Sequence, residues 1–162
     1  MANGQRNKKH DSDEKVIIEH GKLTVQMAVV EPPPPNFASK FRTLQDWLIN
    51  ICDENRPQKK ISKYEFGLFE SAANHIVFLV GVNTYEESDT HTSMRIDFEP
   101  KNMYFKLPES DFQHLNTSQL LHKLTSQLKE FANTENFKSS FFAEANIVVF
   151  ETNGETIWSK QQ

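Results

Sequence analysis

His75-Ile76-Val77-Phe78-Leu79-Val80-Gly81-Val82-Asn83-Thr84-Tyr85 is apolar on both sides of an extended chain. Ile76, Phe78, Val80 and Val82 alternate with Val77, Leu79 and Gly81, so neither side tolerates water. A strand of this kind needs cover above and below, and therefore belongs in the middle of a sheet. Upstream, Lys63 to Ser71 alternates more loosely, with Tyr64, Phe66 and Leu68 opposite Gly67 and Phe69. A short turn near Ala73-Asn74 joins the two. Downstream, Ser93 to Glu99 places Met94, Ile96 and Phe98 inward and Arg95, Asp97 and Glu99 outward. The turn Pro100-Lys101-Asn102 then leads into a strand from Met103 to Leu107.

Two helices flank these strands. Ser39 to Asp53 repeats Phe41, Leu44, Leu48 and Ile51 at helical spacing, with Trp47 and Cys52 widening the stripe and Ser39 as the expected cap. Ser118 to Ala132 carries Leu120, Leu121, Leu124, Leu128 and Phe131, with Asn116 or Thr117 as cap. Residues 133–143 form a connector rich in phenylalanine. Asn153-Gly154 between Ala145–Glu151 and Glu155–Ser159 is a strong hairpin signal.

Before the first helix, Lys15 to Val30 reads as two strands, Val16–Glu19 and Leu23–Val30, around His20-Gly21. Pro32 to Pro35 then locks an extended polyproline II stretch, so residues 31–37 are expected to act as a spacer. Residues 1–14 offer almost nothing to bury and are expected to be a disordered tail. Strands joined by short turns run antiparallel. The predicted fold is therefore α+β: one domain over residues 15–162, an antiparallel sheet in the order ββ-α-ββββ-α-ββ, and two amphipathic helices on one face.

Bulk properties exclude more than they identify. The 162 residues carry a formal charge of −4, which speaks against a nucleic-acid backbone as partner and gives no purchase on an anionic membrane. The single cysteine, Cys52, has no internal partner for a disulfide, and its place on a helix stripe predicts a buried, unactivated thiol. No leader-like stretch opens the chain, and its longest apolar run, Ile76 to Val82, is far short of a bilayer's width. A cytoplasmic protein is expected.

No catalytic, cofactor-binding or metal-binding residues are predicted. Glu86-Glu87-Ser88-Asp89-Thr90-His91 gathers three carboxylates and an imidazole into one expected loop, but it lacks the glycine and the spacing of a calcium loop. The histidines show no ligand spacing. Gly67, Gly81 and Gly154 are isolated, so no phosphate-cradling loop is present, and no serine sits in a nucleophile elbow.

What exceeds background is apolar strand surface. Tyr64, Phe66, Phe69, Phe78, Tyr85, Tyr104, Phe150 and Trp158 all fall on predicted strands, more than two short helices cover. Either a partner buries the remainder or the N-terminal hairpin folds across it. The leading expectation is a non-enzymatic protein-binding module, such as an inhibitor, immunity protein or secretion chaperone. Tyr64, Phe66, Tyr104 and Trp158 would anchor the partner, while Glu86, Glu87 and Asp89 steer a basic one. The alternative is a small-ligand-binding protein or enzyme with a pocket between sheet and helices, where Gly67 and Gly81 leave room. A homodimer that buries the spare face against itself is a third arrangement.

Overall fold

In a computed structural model describing residues 15–20, 23–54, 56–71 and 74–161, the doubly apolar stretch lies at the heart of the sheet. The elements in chain order are β1 (Lys15–His20), β2 (Leu23–Ala28), α1 (Leu44–Asp53), β3 (Lys63–Glu70), β4 (His75–Ser88), β5 (His91–Phe98), β6 (Tyr104–Lys106), α2 (Thr117–Ala132), α3 (Glu135–Lys138), β7 (Ile147–Phe150) and β8 (Glu155–Ser159). Single 3-10 turns stand at Glu109–Asp111 and Phe141–Glu144. The expected tail over residues 1–14, Gly21 of the first turn and Ala73 of the second lie outside the described residues.

The α+β class holds, but the sheet is mixed rather than antiparallel. Its order is β1-β2-β5-β4-β3-β7-β8, and β6 continues beside β4 where β5 stops: β5 pairs with Gly81 to Ser88, β6 with Ile76 to Phe78. The hairpins β1–β2, β3–β4, β4–β5 and β7–β8 are antiparallel, as short turns require. The pairs β2–β5 and β3–β7 are parallel. Each of these joins strands far apart in sequence, and a chain that leaves the sheet through a long crossover returns in either direction. Local turn signals carry no information about such pairings.

One face of the sheet is covered by helices. Tyr64, Phe66, Val77, Leu79, Phe105, Val148 and Phe150 meet Trp47, Leu48 and Ile51 of α1 and Leu120, Leu124, Leu128 and Phe131 of α2 in one core. Phe142 fills its centre, with ring centroids 5.0 Å from Tyr64 and 5.3 Å from Phe137. Trp47 is fully buried, stacks on Phe105 at 5.7 Å, and donates its indole N–H to the Asn102 carbonyl at 2.7 Å. Helix α1 starts later than the sequence suggested. The Thr43 hydroxyl, not that of Ser39, accepts the Asp46 N–H at 3.0 Å, while Ser39 closes a small turn with Phe41. Helix α2 has a full capping box between Asn116 and Gln119.

The opposite face buries Phe78, Val80 and Val82 beneath Val30, Phe69, Met94, Ile96, Met103 and Tyr104. Here the chain flanking the proline run is strapped to the sheet, while Pro32, Pro34 and Pro35 themselves stay exposed. The Tyr104 hydroxyl donates to the Glu31 carbonyl, and Phe37 sets its edge against the Tyr104 ring at 5.7 Å. Pro32 to Pro35 line a shallow cleft with Phe69 and Ile76. A polyproline chain suits this route because proline has no backbone N–H to leave unpaired over an apolar surface. The hairpin β1–β2 extends the sheet at β5 instead of folding across this face. Among the described side chains from Val25 onward, Val29 is the one large apolar group left exposed, at 39 %.

Candidate functional site

The helix-covered core reaches β5 only at Phe98, so the far half of β4 and its partner β5 project beyond it. Strand β4 runs on to Ser88, which places Glu86 and Glu87 in the strand and leaves only Asp89-Thr90 as a turn. Glu86 pairs with Thr92 and Ser88 with His91, so Glu87 is the extra residue of a bulge. A bulge re-aims a side chain, and here it turns the Glu87 carboxylate onto β5.

That carboxylate accepts the Ser93 hydroxyl at 2.7 Å and the Arg95 guanidinium at 2.6 Å. The Ser93 bond first, then the Arg95 bond, hold its carboxyl below the usual carboxylate range. Arg95 in turn lies 4.5 Å above the centre of the Tyr85 ring. The Tyr85 hydroxyl donates to Asp97, which also accepts the Asn83 amide at 2.9 Å. Asn83 reaches back to the chain before β3, accepting the Ser62 N–H at 2.8 Å and donating to the Lys60 carbonyl at 2.9 Å. Glu87, Arg95, Tyr85, Asp97 and Asn83 thus form one continuous polar ladder.

The predicted contact residues separate into two groups. Glu86, Glu87 and Asp89 all stand exposed at the end of this hairpin, Glu86 on the Met94 side and the Glu87 carboxylate on the side of Ser93 and Arg95. The aromatic four do not join them. Tyr64 and Phe66 are 1 % exposed, and their rings, inside the helix-covered core, offer a protein partner no contact area. Trp158 packs against that same core with Phe137 at 5.2 Å, and Tyr104 lies under the strap. Arg95 and Asp97 were not singled out because alternation alone assigned the polar side of β5 to solvent, and Tyr85 was counted only as apolar strand surface. A second bulge, between Gly81 and Val82, sends Phe98 to the helix side while Ile96 and Met94 face the strap.

The room expected beside Gly67 and Gly81 is filled. The Phe78 ring occupies the first position, and Ile61, Phe98 and Tyr64 crowd the second, where a methyl group would stand 2.9 Å from Ile61. No cavity opens between sheet and helices at these positions. Space remains at the rim of that layer, beside the loop Arg56–Lys60.

Reactive groups elsewhere are held apart. Burial pushes the Cys52 thiol up to about 11, with a hydrogen bond from Ser140 opposing it and Asp53 adding to it. His75 places Nε2 3.1 Å from Glu70 and stacks 4.1 Å from Phe112, while its buried Nδ1 has no partner among the described residues. Among the described residues no three His, Cys, Asp or Glu side chains gather to hold a metal ion, and no helix is long and apolar enough to cross a membrane. Compared with family models, with curated proteins and with solved structures, the chain matches none.

Proposed function

We propose that this chain is a non-catalytic protein-binding module whose contact surface is the β4–β5 hairpin, centred on Tyr85 and Arg95. The ladder from Glu87 through Arg95 and Tyr85 to Asp97 carries this reading, because it fixes the side chains before any partner arrives. Tyrosine and arginine are the residue types that most often dominate binding energy, and ordering them in advance lowers the entropy cost of association. Glu87 is neutralised by Arg95, whereas Glu86 and Asp89 make no ion pair among the described residues. Their charge favours a basic partner and faster encounter at low salt. A cytoplasmic inhibitor, immunity protein or secretion chaperone would work in this manner.

The test is a photo-crosslinking amino acid in place of Ser88, an exposed residue whose register partner His91 shares a side of β5 with Ser93 and Arg95. Expressed in the source cells, this variant should capture one defined protein, and Tyr85→Ala or Arg95→Ala in the same chain should abolish the adduct. Crosslinks to a second copy of the chain would identify a homodimer built through this hairpin. Adducts that persist unchanged in both alanine variants would remove the reading.

A further inference from the structure

At the rim of the helix-covered layer, the loop Arg56–Lys60, strand β3 and the turn Phe141–Glu144 enclose a cleft of about 560 Å³. That is within the size range of small-molecule sites, roughly 300–1,000 Å³. Tyr64, Ile61 and Phe141 line it. Around them stand four cations, Arg56, Lys59, Lys60 and Lys160, against one carboxylate, Glu144. On a chain with a formal charge of −4, this is a local reversal of sign.

These cations are not consumed by partners. Arg56 pairs with Glu144 at 2.6 Å, but both side chains are more than half exposed, where such a pair is weak. Lys59 lies 3.9 Å from Asp97, and Lys160 rests on the Glu144 carbonyl at 3.4 Å. Lys60 makes no ion pair among the described residues.

The second observation is Tyr64. It is 1 % exposed, and Phe98, Phe141 and Phe142 enclose its ring at 6.2, 5.6 and 5.0 Å. Phenylalanine would fill the same space, yet the position carries a hydroxyl with no hydrogen-bond partner among the described residues. The Tyr64 ring is sealed in the core, but its hydroxyl reaches the cleft and is available there as a donor. Burial, with the Glu144 charge behind it, raises this phenol far above its ordinary value, so the group stays a donor. The cleft wall is also set in advance, because Asn83 pins both the Lys60 carbonyl and the Ser62 N–H.

We infer that this cleft binds a small phosphate monoester, with Lys60, Lys160 and Arg56 holding the dianion, Tyr64 donating to it, and the organic part resting on Phe141 and Ile61. Several cations and a neutral donor exceed what one carboxylate accepts, whereas a phosphate offers three strong acceptor oxygens and close to two charges. The acidic remainder of the chain disfavours an extended nucleic-acid strand. This inference stands independently of the hairpin and its protein partner.

The experiment is a titration of the full chain with phenyl phosphate, followed by amide NMR, with inorganic phosphate, benzoate and a short oligonucleotide in parallel. Saturable shifts confined to residues 56–64 and 141–145 are expected, with phenyl phosphate binding about tenfold tighter than benzoate. Lys60→Ala with Lys160→Ala, both at exposed positions, should weaken binding by about tenfold or more. Tyr64→Phe keeps the core filled and should weaken it by about fivefold. Affinity should fall below about pH 6, where the phosphate takes up its second proton. Absence of saturation, equal affinity in the double lysine variant, benzoate binding as tightly as phenyl phosphate, or tighter binding of the oligonucleotide would each overturn the assignment.

Discussion

Phe78 lies against Gly67, its register partner across β3 and β4, so closely that a methyl group there would stand 2.2 Å from the Phe78 Cζ. The ring is 5 % exposed and tilts against Phe69 at 5.1 Å, which leaves it little freedom to withdraw. Glycine at this position is therefore part of the packing under the strap. Gly67→Ala is expected to cost about 1–3 kcal/mol through overpacking. Adding Phe78→Leu removes the clash, so the double variant should lose less stability than the two single losses combined. Urea unfolding of the three variants measures this coupling, and strict additivity would mean that the ring moves aside freely.

The strap is expected to release in base. Burial first, then the charges of Glu99 and Glu31, push the Tyr104 phenol up from 10.0 to about 12. A raised value means that the fold favours the protonated form. Its contribution is therefore complete below the ordinary value and is lost as pH rises through about 12. An apolar dye should begin to bind the uncovered Phe78, Val80 and Val82 over that interval. In Tyr104→Phe the hydrogen bond to Glu31 is already absent, so the titration step attributable to this phenol should vanish. Identical dye curves for the two proteins would show that the strap is held by other contacts.

Much of this architecture was legible in the sequence, and the gaps have definite causes. The doubly apolar run from Ile76 to Val82 located the central strand, and the stripes from Leu44 to Ile51 and Leu120 to Phe131 located both helices. These signals are local, because burial acts on a periodic backbone. The parallel pairings of β2 with β5 and of β3 with β7 are not local, and neither is the route of Pro32 to Pro35 across the sheet. Composition could show that Phe78 and Tyr104 needed cover but not what supplied it. The candidate sites were less legible still. Both bulges shift side chains between faces by one residue, and alternation cannot register such a shift.

The hairpin ladder has its own acid dependence. Glu87 has a carboxyl held low by Ser93 and Arg95, so its support for the hairpin is present above the ordinary carboxylate value and lost as pH falls through its depressed value. Arg95→Ala removes one of these donors. The Glu87 carboxyl, followed by carbon-detected NMR, should then titrate at a higher pH, and the Tyr85 ring resonances should lose the shift caused by the overlying guanidinium. An unchanged Glu87 titration would mean that Ser93 alone sets it.

Asn83 ties the two candidate sites together, and substitutions there should separate its roles. Its carbonyl oxygen accepts the Ser62 N–H, while its amide donates to the Lys60 carbonyl and to Asp97. Asn83→Ala leaves all three groups without these bonds and is expected to cost about 1–3 kcal/mol. Amide exchange at Ile61 and Ser62 should accelerate, and phenyl phosphate should bind more weakly because Lys59 and Lys60 lose their fixed backbone. Asn83→Asp keeps an acceptor for Ser62 but sets a second carboxylate beside Asp97. Like charges at this range resist joint ionisation, so this variant should be close to wild type in acid and lose stability as pH rises through the carboxylate range. A pH-independent loss equal to that of the alanine variant would show that the amide's bond to Lys60, rather than the charge beside Asp97, governs the loop.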